Sequence, residues 1–247
     1  MENRRGRFTA SNISRLLAGG TGKTAQSYCL ELAMDMIGLK KSISTIDMQH
    51  GIVNQHIGFE QVIEPLYEGV KWYDEYIAID ERCGASPDFI LEDNFVGDIK
   101  CPGYIDTFLE QIEKAPTKYY QQVQMQMMAA KLDIGLLCIF LTKKEEWGSE
   151  EVWHEYPMPL IDRYKIHEFK TDAEVQDSIM TAVDKYEPIK QNIYQALVDA
   201  PAMDEVEFFY SQINGSKYRN VKDASNIISA CKSGLIQVNS NFYYKSK

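Results

Sequence analysis

Two short blocks of the 247-residue sequence hold residue types that could do chemistry together: Gly84-Ala85-Ser86-Pro87-Asp88 and, ten residues after Asp88, Asp98-Ile99-Lys100. In a strand, alternate side chains share a face, so Asp98 and Lys100 would project one way while Ile99 packs behind them. A hairpin would bring that strand back beside Asp88 and converge two carboxylates with one lysine. Such a set suits phosphodiester hydrolysis. Magnesium takes oxygen ligands and keeps several waters, so two carboxylates are a sufficient anchor, and the Ile99 carbonyl offers another hard ligand. The ion would polarise the phosphate and make a bound water more acidic. Lys100 could orient or deprotonate that water, the latter more readily if a nearby cation lowered its pKa. Alone, a D-x-K on a strand is usually a solvated face, and Ser-Pro-Asp is a common turn. Their conjunction across an expected hairpin, followed by a glutamine-rich helix, favours chemistry. That helix reads Tyr119-Tyr120-Gln121-Gln122-Val123-Gln124-Met125-Gln126-Met127. Gln122 lies one turn after Tyr119, so both can face the hairpin, and its amide could hold the lysine or a water without adding charge.

The elements that must position these residues are legible in outline. Residues 8–18 read as a short helix starting near Ser11, a good N-cap type, with Gly19-Gly20 ending it. The GGTGKT stretch that follows is not a phosphate-binding loop, because Leu17 stands where the motif needs its first glycine and no hydrophobic strand precedes it. Helices are expected over 24–37 and about 45–67, the second weakened by Gly51, Gly58 and Pro65. Residues 70–80 alternate and are rich in aromatic and β-branched types, which predicts a strand. Two more strands, 88–92 and 95–100, are joined through Glu92-Asp93-Asn94 as a turn. Helix-prone sequence after Pro102 is divided by Pro116, with its second part at 118–132. The run 135–142 is apolar throughout, the pattern of a strand buried on both faces. A further strand is expected at 153–157 and a helix over 172–198, while the tail beyond Pro201 reads as short helix and aromatic-rich pieces. One α/β domain over residues 1–247 is the simplest organisation.

Bulk properties narrow the classes. With 45% apolar and 25% charged residues, this is the composition of an ordinary globular protein. No apolar run approaches the roughly 20 residues of a membrane span, and no secretory signal opens the chain, so a cytoplasmic location is expected. Cys29, Cys83, Cys101, Cys138 and Cys231 show no CxxC pairing, which argues against a disulfide framework and a zinc knuckle, and His50, His56, His154 and His167 form no HExxH pattern. The formal net charge of −10 opposes a nucleic-acid partner unless the basic residues are gathered locally; Arg4-Arg5-Gly6-Arg7 is the densest cluster.

Taken in order, four blocks resemble the phage lambda exonuclease and YqaJ viral recombinase family, within the PD-(D/E)xK nuclease superfamily. Arg4-Arg5-Gly6-Arg7-Phe8-Thr9-Ala10-Ser11 resembles its R-x-G-x-[IV]-T-A-S opening, and Gly84 to Asp88 its G-x-S-P-D block. Asp98-Ile99-Lys100-Cys101-Pro102 resembles [ED]-x-K-C-P, and Tyr119-x-x-Gln122-Val123-Gln124 resembles Y-x-x-Q-[VL]-Q. The resemblance implies a restriction-endonuclease-like core with a central mixed sheet flanked by helices. It implies magnesium, with manganese as a substitute, on Asp88, Asp98 and the Ile99 carbonyl, Lys100 handling the water and Gln122 supporting the site. Arg4 and Ser11 match positions that contact the terminal 5′ phosphate of DNA. The family also carries a glutamate on the helix before the first strand, four residues after a glycine. Here Met48-Gln49-His50-Gly51 resembles that anchor, but the matching residue is Gln55, with Glu60 five residues on and about 140° around a regular helix. The sequence leaves open which of the two faces the site.

The activity this resemblance implies is 5′→3′ degradation of linear double-stranded DNA for recombination, alongside a single-strand annealing protein and in a trimeric ring. An endonuclease or single-strand nuclease on the same core is the alternative, since fold alone does not choose among them. A catalytically silent DNA-binding scaffold is the third reading, kept alive by Gln55.

Overall fold

The computed structural model of the chain describes residues 4–19, 22–38, 46–142, 159–198, 206–210, 235–239 and 242–246. Two compact units are formed, one from Met1–Phe8, Asn12–Lys41 and Ser178–Lys247, the other from Thr9–Ser11 and Ser42–Asp177.

The expected helix over 8–18, of which Thr9–Ser11 belong to the second unit and the rest to the first, is shorter than its pattern. Phe8–Thr9 is a two-residue strand, β1, followed by a 3-10 turn (Ala10–Asn12) and helix α1 (Ile13–Leu17). Ser11 is therefore not the N-cap; that position falls to Asn12, which makes no side-chain cap. The Ser11 hydroxyl instead lies 3.4 Å from that of Thr9, the local side-chain competition that short polar residues favour. Helix α2 (Lys23–Met36) presents Tyr28 edge-on to Phe8 at 5.7 Å. Lys190, on the long helix α7 (Ala173–Val198), is buried with its ammonium 4.9 Å over the Phe8 ring, donating to the Gly6 carbonyl at 2.8 Å and paired with Glu187. Beyond Pro201 the described residues are strands rather than short helix: β9 (Val206–Tyr210), β10 (Leu235–Asn239) and β11 (Phe242–Ser246), antiparallel in the order β10-β11-β9. The strand expected at 153–157 lies outside the described residues.

The second unit is built on a five-stranded mixed sheet. Its strands are β2 (Lys71–Trp72), β5 (Phe89–Leu91), β6 (Phe95–Lys100), β7 (Ile134–Phe140) and β8 (Tyr164–Lys170), in the order β2-β5-β6-β7-β8. Only β6 and β7 run parallel. A parallel pair needs a crossover, and helices α5 (Ile105–Lys118) and α6 (Tyr120–Ala130) supply it. The alternation of β6 divides two cores. Phe95 and Ile99 pack with Phe59, Val62 and Ile63 on one face, while Val96 packs with Phe108, Ala115, Val123 and Met127 on the other. β7 feeds both, Cys138 and Phe140 to the first and Leu137 and Ile139 to the second. The expectation of a strand buried on both faces is met.

Three local expectations change. The strand over 70–80 is broken: β2 ends at Trp72, and Ile77–Ala78 (β3) pairs instead with Cys83–Ala85 (β4), which the pattern missed. Alternation cannot report which sheet a strand joins. Pro116 does not divide the crossover; α5 runs through it to Lys118, and the break falls at Tyr119. Near a helix end the lost hydrogen bond is cheap to replace: Pro116 deprives the Ile112 carbonyl of its partner, and the His167 ring donates to that carbonyl. The helix over 45–67 is continuous but changes pitch, from α3 (Ile46–Gly58) through a π-helical turn (Phe59–Ile63) to a last turn, α4 (Glu64–Leu66).

Gly58 sets how close α3 comes to β6. A Cβ there would stand 3.0 Å from the Ile99 side chain and 3.1 Å from the Phe140 ring, both fully buried. Replacing glycine inside a helix normally gains up to about 1 kcal/mol of propensity. A valine at this contact is expected to lose about 2 kcal/mol net through overpacking, measured by thermal unfolding, because neither neighbour has room to retreat. A Gly58→Val protein melting at or above the wild type would show that the helix is free to back away.

Candidate active site

Register brings the two acidic blocks together. Phe89 lies opposite Gly97, so Asp88 at the foot of β5 is next to Asp98 on β6, tied by Asp88 N–H donating to the Gly97 carbonyl at 2.9 Å. The hairpin turn is the expected one, with Asp93 at φ 60° and Asn94 N–H closing onto Leu91. Asp98 shares its strand face with Val96 and looks toward α6. Lys100, two residues on, places its ammonium 2.6 Å from Asp98 Oδ2 and 5.2 Å from the Tyr119 ring centroid.

Asp98 is 3% exposed, and a charge so buried must be satisfied on every side. The Gln122 amide donates to its Oδ1 at 2.7 Å and the Gln126 amide to the same oxygen at 2.8 Å, with Lys100 on Oδ2. Gln122 thus touches the site through the carboxylate rather than through the lysine. Gln126 escaped the sequence reading, although its spacing of four from Gln122 on one helix face was a usable signal. Gln124, between them, faces elsewhere: it donates to the Lys170 carbonyl and accepts from Asp172 N–H, fastening α6 to the end of β8.

Asp88 Oδ2 accepts from Ile99 N–H at 2.6 Å and from the Gln55 amide at 3.0 Å; the same Gln55 nitrogen donates to the Ile99 carbonyl at 3.1 Å. Gln55, not Glu60, therefore faces the site. Glu60 lies in the π turn on the outside, with its side chain 55% exposed and 3.3 Å from His56. Gln55 gets there because Asn54 and Gly58, one turn apart, bury against the sheet and the next residue reaches the strand end.

The electrostatics are those of a crowded acidic pair. Desolvation, and after it the Asp98 charge, push the Asp88 carboxyl well above its ordinary range; Lys100 and the Ile99 N–H offset this only in part. For Lys100, desolvation works against the ammonium, but Asp98 and then Asp88 outweigh it and hold its pKa above the ordinary lysine value. In the metal-free protein Lys100 is thus a fixed ammonium donor. Among the described residues the thiols offer no competing nucleophile: burial pushes Cys29 and Cys83 up to about 12, and raises Cys101 and Cys138 as well.

Among the described residues, no three His, Cys, Asp or Glu side chains gather into a metal-holding group. The convergent donors are two carboxylates, the Ile99 carbonyl and the Gln55 amide, all able to present oxygen, and such a set fits a hard divalent cation. Arg4 and Ser11 are both exposed, Arg4 in the first unit and Ser11 in the second.

The family and the fold recur among known proteins. The model of the YqaJ-like viral recombinase domain matches residues 1–133. The alkaline exonuclease LHK-Exo from Laribacter hongkongensis superposes with a TM-score of 0.63 at 21% identity, over 80% of this chain and 94% of that one. Its complex with dAMP gives 0.63 at 22% identity, over 78% and 92%. A phage-related exonuclease from Haemophilus somnus 129PT gives 0.63 at 17% identity, over 78% and 95%. No curated protein matches the chain. The fold is that of the PD-(D/E)xK-like alkaline exonucleases, a mixed sheet with helices on both faces.

Proposed function

The chain belongs to the YqaJ-like viral recombinase domain family, and from that premise we propose that it is a magnesium-dependent 5′→3′ exonuclease acting on linear double-stranded DNA in recombination. One observation carries the reading: Asp88 and Asp98 stand side by side on neighbouring strands, with the Lys100 ammonium 2.6 Å from Asp98. Asp88, Asp98 and the Ile99 carbonyl would hold the cation. When bound, it supplies Lewis-acid activation of the phosphate and of water. Asp98 is held in place by Gln122, Gln126 and Lys100, so it needs no rearrangement to act. Lys100 Nζ holds the attacking water and steadies negative charge on the phosphate, with the Tyr119 ring fixing its direction.

Arg4 and Ser11 are assigned to the terminal 5′ phosphate, which would set polarity; an arginine and a hydroxyl are suited to that anion. The reading takes residues 1–247 as one nuclease domain working in the cytoplasm of a bacterial host with an annealing protein. A trimeric ring around the duplex would reconcile a net charge of −10 with a DNA substrate by gathering the basic residues inside.

The test uses linear duplex with a 5′ phosphate at one end only, beside a covalently closed circle, in magnesium and then in EDTA. Progressive loss from the phosphorylated end, an intact circle and full inhibition by EDTA are expected. Cutting of the circle would replace the exonuclease reading with an endonuclease, and absence of cleavage in magnesium or manganese would leave a DNA-binding role.

A further inference from the structure

Gln55 does something in this site that a carboxylate could not. Its side-chain nitrogen carries two protons, and both are engaged, one by Asp88 Oδ2 at 3.0 Å and one by the Ile99 carbonyl at 3.1 Å. The Ile99 carbonyl can only accept, and Asp88 Oδ2 is already an acceptor from Ile99 N–H, so the nitrogen and not the oxygen must face them. These are also two of the oxygens that a hard cation would take. We propose that Gln55 is a two-way ligand: its amide nitrogen bridges Asp88 and the Ile99 carbonyl in the metal-free protein, and its amide oxygen turns to the cation when one binds. The inference rests on the reading of Asp88 and Asp98 as the metal seat and adds what the third position does there.

The move is small. The amide nitrogen and oxygen are nearly isosteric, and the last glutamine torsion is broad and roughly two-fold, so a half-turn exchanges donor for acceptor without displacing α3. Gly58 keeps that helix close enough for either face of the amide to reach the strand end. The charge consequence is direct. Two carboxylates and a neutral amide, with Lys100 on Asp98, make a seat of low net charge, tolerable without metal and moderate in its hold on one. A glutamate at this position could not donate to either oxygen. It would put a third negative charge against Asp88 in the metal-free protein and bind the cation more tightly.

Magnesium chloride is the probe, with DNA absent and the full chain used throughout. In a titration followed by 15N–1H spectra, the Gln55 side-chain amide pair, identified by its absence in Gln55→Met, is expected to shift in step with the binding curve from calorimetry. Gln55→Glu is expected to bind magnesium at least about tenfold more tightly and to melt lower without metal at neutral pH, recovering as the pH falls. If the amide pair stays unmoved while magnesium binds, the inference is overturned even should Gln55→Glu fail to fold. Equal affinity in Gln55→Glu and wild type would overturn it too. Loss of binding in Asp88→Asn separates the two levels: wild type binding through Asp88 with Gln55 indifferent removes this inference alone, and no binding by the wild type removes the metal-seat reading with it.

Discussion

Lys100→Ala is expected to cut the rate of DNA hydrolysis by about a thousandfold, the scale of a positioned group acting on a reacting proton. The effect should fall on turnover, with DNA affinity, measured by anisotropy in EDTA, changed only slightly. A second consequence follows from what Lys100 touches. Its ammonium is 2.6 Å from Asp98 Oδ2, and Asp98 is almost wholly buried while the lysine side chain is 24% exposed. Removing one partner of a buried pair leaves the other charge uncompensated. Solvent at the lysine softens this, so a loss of about 2 kcal/mol at neutral pH is expected rather than the full cost of an enclosed pair. Activity is therefore read on protein shown to be folded, with Lys100→Arg as the companion variant that keeps the ion pair but alters the donor. A Lys100→Ala protein that is folded and cleaves within tenfold of wild type would remove the lysine from the chemistry.

The parts of this site legible in the sequence were those fixed by strand periodicity and by one turn. Asp88, Asp98 and Lys100 converge because alternation and a Glu92-Asp93-Asn94 turn leave few registers, and the observed one pairs Phe89 with Gly97. The choice between Gln55 and Glu60 was not legible, because it depends on a π turn beginning at Phe59 and on the close packing of Gly58, and neither leaves a periodic trace. Gln126 was hidden among methionines that read as core. Strand β4 and the break between β2 and β3 were missed because two- and three-residue strands carry too few alternations to register, and β3 is drawn off by pairing with β4. Ser11 looked like a helix start because its type favours one; the chain used Asn12 instead, since β1 and the turn after it occupy the preceding residues.

Asp88→Asn is expected to do two opposite things. Magnesium binding and cleavage should both be lost, cleavage by about a thousandfold or more, because one of only two carboxylates at the site is gone. The metal-free protein should nevertheless become more stable at neutral pH. Desolvation and Asp98 raise the Asp88 carboxyl well above the ordinary value it has in the unfolded chain, so the fold prefers its neutral form. Such a group contributes stability that is present below the unfolded pKa and is lost as the pH rises through the folded one. At neutral pH the wild type carries that loss, and an asparagine, neutral at every pH, does not. Its amide oxygen can still accept from Ile99 N–H and the Gln55 amide, as Asp88 Oδ2 does at 2.6 and 3.0 Å. What it gives up is attraction to Lys100, which keeps Asp98 as its close partner. For a chain of this length each kcal/mol moves the melting temperature by about 2–4 °C. The expected pattern is thus a metal-free Asp88→Asn protein melting a few degrees above wild type at neutral pH, the gap closing as the pH falls through the Asp88 range. Added magnesium should raise the wild-type melting temperature and leave the variant unmoved. A variant less stable than wild type across the whole pH range would mean that Asp88 is favourably solvated in the fold. Lys100, the Ile99 N–H and the Gln55 amide would then more than offset the desolvation of Asp88.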